Sequence, residues 1–167
     1  MNVFQRKNPA LPELKNPQIV IRKRERKLFL FDGERLIKIY KIALGFEPLG
    51  DKERRGDGKT PEGEFYIAVK NPKSKYFLSL GLSFPTVKHA ASGLAAGLIS
   101  QTEYEEILKA RREKRLPNQK TRLGSEIYIH GGGNLWDWTE GCVALENGDI
   151  KEIFAALQIG TKVLIEP

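Results

Sequence analysis

A mainly β domain carrying one helical insertion is the fold class predicted for this chain of 167 residues. Three observations lead there. Short β-branched or aromatic runs recur between turn residues from Gln18 onward. A stretch at 88–120 loses that pattern and takes on helical signals. Strand-like runs then resume and continue to the C-terminus. Because the strands are short and separated by turns, a sandwich or closed sheet fits better than a doubly wound sheet.

Residues 1–17 contain Pro9, Pro12 and Pro17 and no periodicity, so an extended N-terminal arm is expected, followed by one domain over 18–167. Ile19–Ile21, Lys27–Phe31 and Leu36–Leu44 read as strands, the last two joined by a hairpin turn at Asp32-Gly33. Gly45 to Gly63 is a long loop rich in glycine and charge, leading into a strand at Glu64–Lys70. Phe77–Leu82 is a further short strand. Within the insertion, Ala90–Ile99 is small and apolar. Thr102-Glu103-Tyr104-Glu105 resembles a capping box, opening a helix to about Arg115, with Tyr104, Ile107 and Leu108 on its core-facing stripe. Two readings of the insertion stand side by side: a lid over a cleft, or a plain surface helix. Strands are expected again at Glu126–His130, Gly141–Leu145 and Thr161–Ile165, with a helix from Asn147 to Leu157 that Gly160 ends.

Composition narrows the function classes. The longest charge-free run, His89–Thr102, is fourteen residues and too short for a bilayer, so no transmembrane segment is expected. The first residues lack the apolar core of a signal peptide; either the protein is cytoplasmic or the chain begins after a removed leader. One cysteine and two histidines exclude an intrachain disulfide and a cysteine zinc cage, so neither metal nor cofactor is expected. His89 reads as a surface or hydrogen-bonded histidine. Net charge is +12 over residues 1–124 and −5 over 125–167. That asymmetry suits either an anionic polymer or an ordinary solvated surface. No nucleic-acid motif and no interleaved aromatics accompany the basic clusters, so no nucleic-acid partner is expected.

The chemistry-bearing segment is Ile129-His130-Gly131-Gly132-Gly133, followed after a loop by Glu140-Gly141-Cys142. One thiol and one imidazole, each beside glycine and each on a β-like run, are the minimum equipment for cysteine acyl transfer. His130 and Cys142 would meet on adjacent strands. The Gly131 carbonyl would orient the imidazole, Gly141 would leave the backbone beside the thiol uncovered, and the Cys142 N–H with a neighbouring N–H would receive an oxyanion. The competing reading makes Cys142 a small buried hydrophobe between Gly141 and Val143. Trp136 and Trp138 are either a cleft wall or anchors of their loop.

These residues resemble the L,D-transpeptidase (YkuD-like) catalytic domain family. The resemblance rests on Ile129–Gly132, on Thr139-Glu140-Gly141-Cys142, on Gly160–Ile165 and on the Thr-Pro-x-Gly segment within Leu44–Ile67. It extends over roughly Gln18 to Pro167. It implies a β-sandwich-like fold acting on peptidoglycan stem peptides in the periplasm or cell envelope. By position it implies Cys142 as nucleophile, His130 as general base and then acid, and Gly131 as orienter of the imidazole. Gly141 and Cys142 then lie at the oxyanion, while Trp138, Thr139 and Arg122 are candidates for substrate binding. Many members have a second histidine where Glu140 stands, and Arg or Asn where Ala144 stands. Arg122, Lys88 and Lys59 are the cations that would take over the latter role. Asp137–Ala144 matches a subgroup pattern, D-W-T-x-G-C-[IV]-A. The resemblance leaves open transfer to an amine, hydrolysis by water, and a catalytically idle wall-binding module.

Overall fold

A computed structural model describes residues 10–167. Eight strands and three helices follow one another along the described residues. They are β1 (Pro17–Arg22), β2 (Lys27–Asp32), β3 (Arg35–Lys41), β4 (Gly63–Ser74), β5 (Phe77–Leu82), α1 (Val87–Ala95), α2 (Gln101–Arg112), β6 (Tyr128–His130), β7 (Val143–Ala144), α3 (Asn147–Ala156) and β8 (Lys162–Glu166). The strands form one sheet in the order β3-β2-β1-β8-β4-β5-β6-β7.

Two features turn this sheet into a mainly β sandwich-like fold. The twelve-residue β4 belongs to both halves: Gly63–Tyr66 pairs with β8, and Ile67–Ser74 pairs with β5. Register shifts in the second half bend the strand at that point. At the far ends, Ala43 just beyond β3 bonds Ala144 of β7 through reciprocal N–H···O contacts of 2.9 Å, and Gly45 bridges to Thr139. The two outer edges of the sheet therefore meet at a seam. Inside, alternate residues of the strands form the core, among them Ile19, Ile21, Leu28, Leu30, Phe65, Ile67, Val163 and Ile165.

The expected arm falls partly outside the described residues. Residues 10–16 are irregular, and Leu11 and Leu14 pack against the core. The strand expected over Leu36–Leu44 stops as a regular element at Lys41 and continues only as the bridges of the seam. The strand expected from Glu126 is confined to Tyr128–His130, because Glu126 has a left-handed backbone (φ 56°) incompatible with a strand.

In the insertion, α2 is capped by Ser100, two residues earlier than the Thr102 reading. The Ser100 hydroxyl accepts from Glu103 N, and the Glu103 carboxylate accepts from Ser100 N. The helix ends at Arg112, three residues short of the expected end. Helix α1 was not foreseen. Its cap is Thr86, whose partner three residues on is His89 rather than Glu or Gln, so the usual signature is missing. His89 is buried and fully bonded: Nδ1 accepts from Thr86 and Nε2 lies 2.8 Å from Asp51 Oδ1. Asp51 in turn accepts from Glu62 N and Lys88 Nζ. Burial alone would raise its carboxyl pKa, yet these bonds outweigh burial and hold it well below the usual carboxylate range. The 45–63 loop is thereby tied to the insertion.

Candidate active site

The parallel pair β6–β7 sets Ile129 beside Val143 and His130 beside Ala144. One step back in the same register, Tyr128 faces Cys142, and the two touch: Tyr128 N donates to Sγ at 3.4 Å. Side chains alternate along a strand, so Tyr128, His130 and Cys142 point to one side while Ile129 and Val143 enter the core. That side opens on a cleft of about 860 Å³, whose walls include Phe46, Lys52, Arg55, Tyr76, Trp138 and Thr139 as well as His130 and Cys142.

The loop before Cys142 is held by its own motif. Asp137 forms an ion pair with Arg26 (2.8 Å) and accepts from Leu44 N (2.9 Å). Trp138 Nε1 donates to Gly133 O at 3.0 Å, and its indole stands edge-on to the His130 ring, with centroids 5.6 Å apart. Thr139 is a clasp: its hydroxyl donates to Cys142 O at 2.7 Å and accepts from Gly141 N at 3.2 Å. Gly141 has φ 138°, and a Cβ there would sit 2.8 Å from Lys59 O, so only glycine fits.

His130 is buried beneath the Tyr76 ring, which stacks on it at 4.5 Å. Its Nδ1 lies 2.6 Å from Gly131 O. A carbonyl accepts only, so Nδ1 carries the proton and Nε2 has its lone pair free. The thiol of Cys142 donates to Glu126 O at 3.1 Å, and His130 is not among its hydrogen-bond partners in the described residues. The Cys142 N–H likewise has no acceptor there, whereas Gly141 N–H is occupied by Thr139.

Electrostatics leave both the thiol and the imidazole neutral. Burial pushes the Cys142 thiol up to about 11 against the pull of the Tyr128 N–H, with the Lys52 ammonium lowering it and Glu126 and Glu140 raising it. Burial pushes the His130 imidazole below its ordinary value, opposed by its bond to Gly131. With a thiol pKa near 11, only about one thiol in ten thousand is ionised at pH 7. Alkylation of Cys142 by iodoacetamide is therefore expected to rise about tenfold per pH unit from 7 to 10. A pH-independent labelling rate over that range would contradict a buried, protonated thiol.

Other sequence candidates fall elsewhere. Arg122 is exposed and does not line the cleft; its carbonyl accepts from Arg55 N, and Arg55 supplies the guanidinium at the cleft wall. Lys88 pairs with Asp51, and neither it nor Lys59 lines the cleft. Ala144 is fully buried at the seam and offers no polar group. Trp136 is 69% exposed and outside the cleft, so of the two indoles only that of Trp138 forms a wall. Neither α1 nor α2 contributes a lining residue, which favours the plain surface-helix reading of the insertion over the lid. Sequence reasoning missed Tyr76, Tyr128, Lys52 and Arg55. Tyr128, two residues before His130 on a strand, was accessible through simple alternation. Among the described residues, no group of three His, Cys, Asp or Glu side chains could hold a metal ion, and no helix is long and apolar enough to cross a membrane.

Comparison with known proteins settles the ancestry. The L,D-transpeptidase catalytic domain (YkuD) matches residues 16–165. The chain belongs to that family. YafK of Escherichia coli strain K12, provisionally named an L,D-transpeptidase, is 32% identical over 144 residues, covering 81% of this chain and 45% of YafK. The chain thus spans less than half the length of that relative. Among solved structures, the helical cell shape determining protein Pgp2 of Campylobacter jejuni shares the fold with a TM-score of 0.62 at 22% identity, covering 96% of this chain and 51% of Pgp2. Bd1075 of Bdellovibrio bacteriovorus superposes with a TM-score of 0.56 at 24% identity, covering 94% of this chain and 52% of that one.

Proposed function

We propose that this domain is a cysteine acyltransferase of peptidoglycan stem peptides that forms a thioester on Cys142. One observation carries the reading: Cys142 and His130 share one face of β6–β7 in a single cleft, with Nδ1 engaged by Gly131 and Nε2 left as the base. Membership of the L,D-transpeptidase family supports peptidoglycan as the substrate class, and a working place in the cell envelope belongs to the same proposal.

In the proposed reaction the thiol leaves Glu126 O and gives its proton to Nε2 of His130. The sulfur attacks the carbonyl of the third, L-centred residue of a tetrapeptide stem, and the carbonyl electron pair moves onto oxygen. The Cys142 N–H is the donor aimed at that oxyanion, and Gly141 contributes by leaving the backbone uncovered. Collapse expels the terminal D-alanine, whose amine takes the proton back from His130. The thioester then passes to an amine of a second stem, or to water. Trp138 and Tyr76 wall the cleft beside the imidazole. Thr139 acts through the loop it clasps, and Arg55 is the cleft cation nearest in kind to the one absent at Ala144.

The test is incubation with purified tetrapeptide muropeptides, followed by intact-protein mass and product analysis. A Cys142-dependent adduct with cross-linked dimers is expected for transfer, and one with shortened stems for hydrolysis. Wall binding with no adduct across a range of donors would reduce the domain to a non-catalytic wall-binding module.

A further inference from the structure

Ser79 of β5 pairs directly with His130 of β6. The flanking bonds, Gly131 N to Leu78 O and Leu82 N to Ile127 O, identify this as the non-hydrogen-bonded kind of antiparallel pair. In such pairs the Cα atoms approach to about 4.5 Å and the two side chains stand together on one face. Across its other edge Ser79 pairs with Asn71, which lines the cleft, so Asn71, Ser79, His130 and Ala144 form one row across four strands. Ser79 is fully buried, and its Oγ is the one buried side-chain nitrogen or oxygen without a hydrogen-bond partner among the described residues.

Leaving a hydroxyl buried and unpaired is unfavourable, and alanine would fill this position without that penalty. The arrangement gains a physical reason if the hydroxyl is kept for a charge absent from the resting site. That charge arises when the S–H bond of Cys142 breaks and its proton forms a bond to Nε2: the ring becomes an imidazolium until the leaving amine takes the proton. Tyr76 stacks on the ring and the Trp138 edge meets it, while the charged groups lining the same cleft are Lys52, Arg55, Lys75, Glu126 and Glu140. Neither carboxylate hydrogen-bonds the resting imidazole. The Gly131 carbonyl is the single acceptor already engaged. A freely rotating hydroxyl beside the ring can turn its lone pairs toward the positive charge, an interaction made in the charged state and not in the neutral one.

We propose that Ser79 is a positioning residue whose hydroxyl stabilises the imidazolium that His130 becomes during acyl transfer. The proposal rests on the reading of Cys142 and His130 as the reacting pair. It differs from a packing role in what it expects of Ser79→Ala: thermal stability equal to or above the wild type, together with a roughly tenfold fall in kcat and little change in KM.

The deciding measurement does not need turnover. With two histidines in the chain, the imidazole of His130 is distinguished from that of His89 by NMR, using His130→Gln for assignment. In Ser79→Ala the His130 resonance is expected to titrate at a lower pH than in the wild type, and Ser79→Thr, which retains the hydroxyl, is expected to return it. Coincident His130 titrations in wild type and Ser79→Ala overturn the proposal, as does a Ser79→Ala variant with full kcat in an active enzyme. Failure of the wild type to acylate any muropeptide would defeat the catalytic reading instead, while a shifted titration would still establish the hydroxyl–imidazole coupling.

Discussion

Exchanging Cys142 for alanine is expected to lower stem-peptide acylation by at least about a thousandfold, and His130→Ala to do nearly the same. The double variant should be no worse than the poorer single one. In the proposed reaction the two residues act as one unit: the imidazole takes the thiol proton and later returns it to the leaving amine, and a thiol pushed up to about 11 is inert without that acceptor. Both substitutions remove atoms from the cleft wall rather than the shared core, since the core face of these strands is formed by Ile129 and Val143. Thermal unfolding should therefore change little. Parallel measurement of acyl-enzyme by mass spectrometry and of Tm checks both halves. Additive losses in the double variant would mean that the residues act in separate steps. A folded His130→Ala with full activity would remove the imidazole from the mechanism.

The second large effect is on stability. At Gly45, which bridges to Thr139 beside the seam, an added Cβ would lie 2.0 Å from Gly58 O and 3.0 Å from the Gly141 Cα. Both obstacles are backbone, and Gly58 is itself pinned: its φ is 70° and the Phe46 ring lies over it. Gly45 N also donates to the buried Thr60 hydroxyl at 2.9 Å, so the strand extension has little freedom to retreat. Overpacking of this kind costs about 3 kcal/mol. For a domain of this size that corresponds to a fall in Tm of roughly 6–12 °C. Gly45→Ala should also misplace Cys142, because the Gly141 backbone is one of the two surfaces pushed. An unchanged Tm would mean that the 45–63 loop slides freely over the loop that precedes Cys142.

What could be read from the chain depended on how local each signal was. Strands such as Ile19-Val20-Ile21 and Phe77–Leu82 were visible because short β-branched or apolar runs bounded by turn residues mark a strand locally. The His130–Cys142 association was legible because only a short loop separates the strands and glycines mark both. Helix α1 was hidden because its cap uses a histidine bonded to Asp51, a partner far away in sequence. The cleft wall was hidden for a related reason. Lys52 and Arg55 sit in a loop without periodicity; Asp57 and the carbonyls of Gln119 and Thr121 fix their direction, and those contacts exist only once the loop has folded onto the sheet. Arg122 carries the same charge as Arg55 and was indistinguishable from it before that folding was known.

The seam between Ala43 and Ala144 bears on how this scaffold tolerates change. Here the thiol-bearing segment is gripped from both sides by peptide groups, which every residue except proline possesses. Side chains along the outer walls can accordingly be exchanged without moving the sulfur. The loops at 46–56 and 124–126 form much of the rim, where Phe46, Arg55 and Glu126 present exposed side chains from a backbone that is itself bonded at Phe46 N, Arg55 N and Glu126 N. A scaffold divided in this way would allow rim side chains to be exchanged while the sulfur of Cys142 stays where the two-residue strand β7 holds it.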